Sequence, residues 1–169
     1  MGEGTLFQIC YEGDLTVEVS DALRRLGAEP NFDQSWQVRL EEPREASVLV
    51  RYLRRLVGAD AKLIVAPMQW SRRRDLILVR HSMTPGADYR ELHSALERLG
   101  WVLELPFDST FLVDSDDRTD VRTLGEALAQ LSPDDSIMVV GVGEEFAWCT
   151  ADAPALAAAT VPVSRVKTF

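Results

Sequence analysis

Apolar residues recur along this chain in two alternating rhythms, one suited to strands and one to helices, and the series runs through twice. In the second half Leu76-Ile77-Leu78-Val79 is a continuous apolar run of strand length. Tyr89, Leu92, Leu96 and Leu99 then fall on one helix face, which Gly100 ends. Trp101-Val102-Leu103-Glu104-Leu105 and Thr110-Phe111-Leu112-Val113 predict a hairpin around Pro106. Val121, Leu124, Leu128 and Leu131 form a second helical stripe, with Asp117 as its cap and Ser132-Pro133-Asp134-Asp135 as its stop. Ile137 to Val142 closes the series as a buried strand, so the predicted order is βαββαβ.

The first half gives the same order with shorter joints. Leu6 to Tyr11 is the strand; Leu15, Val19, Ala22, Leu23 and Leu26 make the first stripe. Pro43 suits a first helical turn, Ala46, Leu49, Val50, Leu53 and Val57 make the next stripe, and Leu63 to Ala66 is the last strand. The likeness extends to residue identity. Phe32-Asp33-Gln34-Ser35-Trp36-Gln37-Val38 returns 75 residues later as Phe107-Asp108-Ser109-Thr110-Phe111-Leu112-Val113, and Ala22-Leu23-Arg24-Arg25-Leu26-Gly27 returns 73 residues later as Ala95-Leu96-Glu97-Arg98-Leu99-Gly100. A period this long, with strands and helices inside it, indicates duplicated domains. Two helices on one face of a four-stranded antiparallel sheet describe a ferredoxin-like unit. The expected fold is therefore α+β: two tandem ferredoxin-like (βαββαβ) domains with antiparallel sheets, packed as a pseudo-dimer. The boundaries follow as 1–68 for the first domain, 69–74 for a linker, 75–148 for the second domain, and 149–169 for a C-terminal tail. In that tail Val161-Pro162-Val163-Ser164-Arg165-Val166 reads as an added edge strand, since proline cannot donate to a central ladder.

Composition narrows the classes. An apolar fraction of 46% over 169 residues is enough for one large core or two small ones. No run approaches the length of a membrane span and no leader-like segment opens the chain, so a soluble cytoplasmic protein is expected. Cys10 and Cys149 form no CxxC pair, which suggests reduced thiols rather than a disulfide framework or zinc site. The net charge of −9 lies wholly in the second half: residues 1–74 hold 11 acidic and 11 basic side chains, residues 75–169 hold 16 and 7. Such a surface repels phosphate, which disfavours nucleic acid as a general partner.

One stretch carries a family resemblance. Leu78-Val79-Arg80-His81-Ser82-Met83-Thr84-Pro85-Gly86-Ala87-Asp88-Tyr89, followed by Asp108-Ser109-Thr110-Phe111-Leu112-Val113, resembles the SinR-like branch of the CRISPR-associated Cas-two family over residues 75–148. The first half joins it only through the internal repeat. The resemblance implies ferredoxin-like subunits that pair as homodimers and touch nucleic acid, as metal-dependent nucleases or as non-catalytic scaffolds, and a final strand that crosses to the partner's sheet. Here that strand would cross to the first domain or swap between chains. The family's proposed catalytic residue is an Asp closing the first strand, which faces its twin and holds a divalent metal. A carboxylate pair suits Mg²⁺, a hard cation that prefers oxygen.

Both halves lack that Asp. Counting back from Pro85-Gly86 puts His81 in its place, or Ser82 after a one-residue slip; in the first half Tyr11-Glu12 stands at the corresponding Tyr-Asp. If the halves pair as the family's subunits do, Glu12 and His81 face each other, as candidate catalytic residues and as ligands for Zn²⁺, Mn²⁺ or Mg²⁺. The plainer reading, two remnants at strand ends, is favoured. Arg72, Arg73 and Arg74 form the one dense positive run and the best candidate contact for phosphate or nucleic acid, against a solvated linker. Arg51, Arg54 and Arg55 share a helix face that Glu41, Glu42 and Glu45 offset. His93 reads as a surface histidine, Ser109 and Thr110 as local hydrogen-bonders, and Gly141-Val142-Gly143 lacks the helix and Lys-Ser/Thr of a phosphate loop. The four tryptophans read as packing residues, Trp36 and Trp101 in strands, Trp70 and Trp148 at sheet edges.

The reading is a degenerate, non-catalytic Cas-two-like protein that binds or assembles through protein partners or self-association, with bacterial defence or a toxin-related setting implied by the resemblance alone. It needs no cofactor and no membrane. The alternatives are a nuclease or phosphodiesterase using Mg²⁺ or Mn²⁺ at Glu12 and His81, and a nucleotide or small-ligand sensor with Arg72 to Arg74 on the phosphate.

Overall fold

A computed structural model describes residues 4–41, 45–58, 60–68, 76–82, 90–103, 107–115, 121–131, 136–143 and 146–149. The described residues form an α+β protein with two antiparallel sheets and four helices, divided into two compact units. None of the helices is long and apolar enough to cross a membrane.

The first unit runs β1 (Thr5–Glu12), α1 (Val17–Arg25), β2 (Glu29–Phe32), β3 (Ser35–Leu40), α2 (Ala46–Arg54) and β4 (Lys62–Pro67). Strand alternation sends Phe7, Ile9 and Tyr11 to one face of β1, where they meet Val19, Ala22 and Leu23 of α1 and Leu49, Val50 and Leu53 of α2 in one core. Local chemistry sets the helix ends. Gly13, at φ 124, turns the chain off β1 with its α-carbon where a Cβ would lie 3.2 Å from the Ala61 backbone. The Thr16 hydroxyl then accepts a 3.3 Å hydrogen bond from the Val19 amide and opens α1. Leu15, expected in the helix stripe, therefore precedes the helix and is 38% exposed. At the other end Gly27 adopts φ 74, its amide donates to Arg24 and the Ala28 amide donates to Leu23, both at 2.9 Å, which satisfies the last carbonyls.

The strand order is β2-β3-β1-β4-β9, with every neighbour antiparallel. Its fifth member, β9 (Ala147–Cys149), comes from the far end of the chain and pairs with β4 as Leu63 to Cys149, Ile64 to Trp148 and Val65 to Ala147. The Gly143 amide donates 2.7 Å to the Pro67 carbonyl at the start of this return. Residues 143 and 146–149 thus group with the first half, whereas the sequence boundary assigned the chain through 148 to the second. Trp148 accordingly stands within an edge strand. The expected strand at 161–166, the Pro43 helix start, the Asp117 cap and Trp70 lie outside the described residues.

The second unit runs β5 (Leu76–His81), α3 (Arg90–Leu99), β6 (Gly100–Val102), β7 (Thr110–Ser115), α4 (Val121–Leu131) and β8 (Ile137–Val142), with strand order β6-β7-β5-β8. Ile77 and Val79 of β5 pack with Val113, with Leu92 and Leu96 of α3, and with Leu124 and Leu128 of α4. The first strand is two residues longer than its apolar run, because Arg80 and His81 continue the ladder opposite Met138 and Ile137. That extension decides where the candidate site residues point.

Candidate functional site

Register fixes which residues of the two halves are counterparts. In the first unit Ile9 pairs with Trp36 and Cys10 with Ser35; in the second Val79 pairs with Phe111 and Arg80 with Thr110. Since Trp36 and Phe111 are matched by the sequence repeat, Ile9 corresponds to Val79, Cys10 to Arg80, Tyr11 to His81 and Glu12 to Ser82. On the other side of each ladder Tyr11 lies opposite Leu63 and His81 opposite Ile137, both of which pack toward the helices of their own unit. By the β1–β3 and β5–β7 registers the position matching Glu12 is Ser82, the slipped alternative.

Faces follow from the alternation of side chains along a strand. Tyr11 belongs to the first core, and His81, two residues beyond Val79, lies on the helix-covered side of its own sheet. The His81 ring stacks on Phe111 with centroids 5.8 Å apart and planes 16° from parallel, and the residue is 1% exposed. Its amide donates to the Ser109 carbonyl at 3.1 Å. His93 of α3 meets the same Phe111 ring edge-on at 5.8 Å and approaches Glu97 at 3.7 Å, with about half its side chain in solvent. An aromatic row, His81, Phe111 and His93, thus joins β5, β7 and α3. Glu12 ends β1 on the alternate face, 9% exposed and in register with Lys62. The two residues joined by the sequence reading stand in different units and on different kinds of sheet face.

Around Tyr11 the polar groups are local. Its hydroxyl donates to the Asp14 carbonyl at 3.0 Å, and burial, with the Asp14 carboxylate and the Cys149 thiol adding to it, raises its pKa above the usual phenol range. Burial likewise pushes the Cys149 thiol up, partly offset by Arg54. Both cysteines are buried and reduced. These shifts keep both groups neutral near pH 7 and leave neither poised as a nucleophile.

The face of β5 away from its helices holds a residue that the sequence reading passed over. Arg80 is 3% exposed and donates 2.8 Å to the Thr110 hydroxyl, itself 1% exposed. The equivalent pair in the first unit is neutral, the Ser35 hydroxyl meeting the Cys10 sulfur at 3.4 Å. Gln8, on the same face as Cys10, is fully buried; its amide donates to the Trp36 carbonyl at 3.2 Å, and its oxygen accepts 2.9 Å from Asn31. The signal for Arg80 was the strand's own alternation carried past Val79, where a charge on the second face breaks an apolar series.

Among the described residues no group of three or more His, Cys, Asp or Glu side chains could hold a metal ion. Arg72, Arg73 and Arg74 lie outside the described residues. Of the three arginines expected on one helix face, Arg51 and Arg55 are exposed on α2 and just after it, whereas Arg54 is partly buried near Cys149. No family model, curated protein or solved structure matches the chain.

Proposed function

We propose that this protein is a non-catalytic binding or assembly module built from two ferredoxin-like units, a degenerate relative in form of the Cas-two family. The internal sequence repeat and the shared strand order, β2-β3-β1-β4 and β6-β7-β5-β8, support the duplication. One observation carries the loss of catalysis. At the ends of the first strands the helix-facing pair is Tyr11 and His81, both built into packing, and the next pair is Glu12, which closes β1, and Ser82, which follows β5. A carboxylate pair across related subunits would need an acid at both members of one pair, and only Glu12 supplies one. A single carboxylate with a serine hydroxyl is a weak cradle for Mg²⁺, which binds through carboxylates and retained waters.

The test is incubation of the purified chain with labelled single- and double-stranded DNA and RNA in Mg²⁺ or Mn²⁺, with EDTA as control. The expected outcome is no cleavage beyond that of Glu12→Gln. Metal-dependent cleavage that disappears in Glu12→Gln overturns the proposal and restores the nuclease reading.

A further inference from the structure

The first unit carries a groove between its two helices that the second unit's sequence does not reproduce. Its volume is about 350 Å³, and Val17, Ala22, Tyr52 and Leu56 supply the apolar part of its lining. Val17 is 72% exposed and Tyr52 41%, one on each helix of the groove, and Val48 of α2 also faces solvent. The duplication provides an internal control. Ala22 matches Ala95 and Leu53 matches Leu128 as core positions of the two units, which aligns Val17 with Arg90 and Tyr52 with Ala127. The same fold thus closes its second copy with a charge and a small residue at these places, so packing does not require a valine and a tyrosine there. Exposed apolar groups gathered in a cleft mark an interaction surface, whereas scattered ones do not.

Charge indicates what fits. Four ionic side chains join the lining: Glu18, Asp21, Arg25 and Arg55. Asp21 is engaged by Arg24 at 3.1 Å, and Arg51, one turn before Arg55, adds a further exposed cation on a helix without acidic residues. The lining itself balances two acids against two bases, but over α1, α2 and the residue that ends α2 five arginines, Arg24, Arg25, Arg51, Arg54 and Arg55, stand against Glu18 and Asp21, within a protein whose net charge is −9. The Arg55 counterpart in the second half is Gln130, so this cation too is particular to the first copy. A cleft between two helices accommodates the apolar stripe of a third.

We propose that the α1–α2 groove docks an acidic amphipathic helix of a partner protein, its apolar stripe on Val17 and Tyr52 and its carboxylates on Arg25 and Arg55. This rests on the binding-module reading above, and sharpens it by naming the partner's chemistry. Nucleic acid, the other anionic class, is disfavoured here by the aliphatic side chains in the lining, which offer its phosphate backbone no contact.

The experiment is fluorescence anisotropy on the full chain with a labelled peptide of about four helical turns, leucines at i, i+3, i+4 and i+7 and glutamates on both flanks. A second peptide replaces every glutamate with lysine. The glutamate peptide is expected to bind at least about tenfold more tightly than the lysine peptide. The preference should invert in the Arg25→Glu/Arg55→Glu double variant, and Val17→Asp should weaken both peptides. These side chains are solvent-facing, so circular dichroism melts close to the parent's confirm that folding is kept. No binding of the glutamate peptide, equal binding of the two, an unchanged preference in the double variant, or displacement by a single-stranded oligonucleotide overturns the proposal. The cleavage assay bears on the module reading alone: a chain that cuts nucleic acid yet binds the peptide loses that reading and keeps this groove.

Discussion

His81→Asp strongly destabilises the second unit, while His81→Phe leaves its stability close to the parent's. The ring is 1% exposed and stacked on Phe111, on the sheet face that α3 and α4 cover through Leu92, Leu96, Leu124 and Leu128. A carboxylate placed there either stays charged away from water or takes up a proton, and either route costs about 3 kcal/mol or more. Against a typical stability of about 5–15 kcal/mol for a whole domain that is a large share. Phenylalanine keeps the stacked ring and the volume. Urea denaturation followed by near-ultraviolet circular dichroism checks both. A His81→Asp protein with parental stability would show that the imidazole does not occupy the core, and would return it to the list of chemical groups.

Leu53→Ala costs about 2–5 kcal/mol, the range for emptying a well-packed aliphatic site. Leu53 is fully buried in α2 within the core cluster that holds Phe7, Ile9 and Tyr11 of β1. Its neighbours there come from a sheet pinned on both sides of β1, so they have little freedom to close the gap. Val48, on the same helix and 37% exposed, is the control: Val48→Ala changes stability by about 0.5 kcal/mol or less. Denaturation midpoints at constant slope measure the two. Equal losses would mean that α2 presents a different face to the sheet.

The order of elements was open to sequence reading because both halves bury amphipathic helices against strands, and period is the strongest local signal. Leu49 with Leu53, and Leu124 with Leu128, lie where the stripes put them. Register was harder. The offset between halves is 70 residues at Ile9 and Val79, 73 at Ala22 and Ala95 and 75 at Trp36 and Phe111, because both the joint between the first strand and first helix and the segment from that helix to the next paired strand are longer in the second half. Counting back across that joint from Pro85-Gly86 leaves a one-residue ambiguity, and one residue exchanges the two faces of a strand. This is why Glu12 was matched with His81 rather than Ser82. The return of Ala147 to Cys149 to the first sheet was not legible either, since three residues carry no period and nothing local names a distant partner edge. Arg80 was hidden by treating the apolar run as the whole strand.

One register makes Tyr11 and His81 equivalent and turns both toward their helices. Nuclear Overhauser contacts in the labelled full chain read it: the His81 ring protons should contact the Phe111 ring, with backbone contacts joining Val79 to Phe111 and Arg80 to Thr110. Contacts joining His81 itself to Thr110, with its ring remote from Phe111, would shift the strand by one residue, send the imidazole to the opposite face and contradict the account.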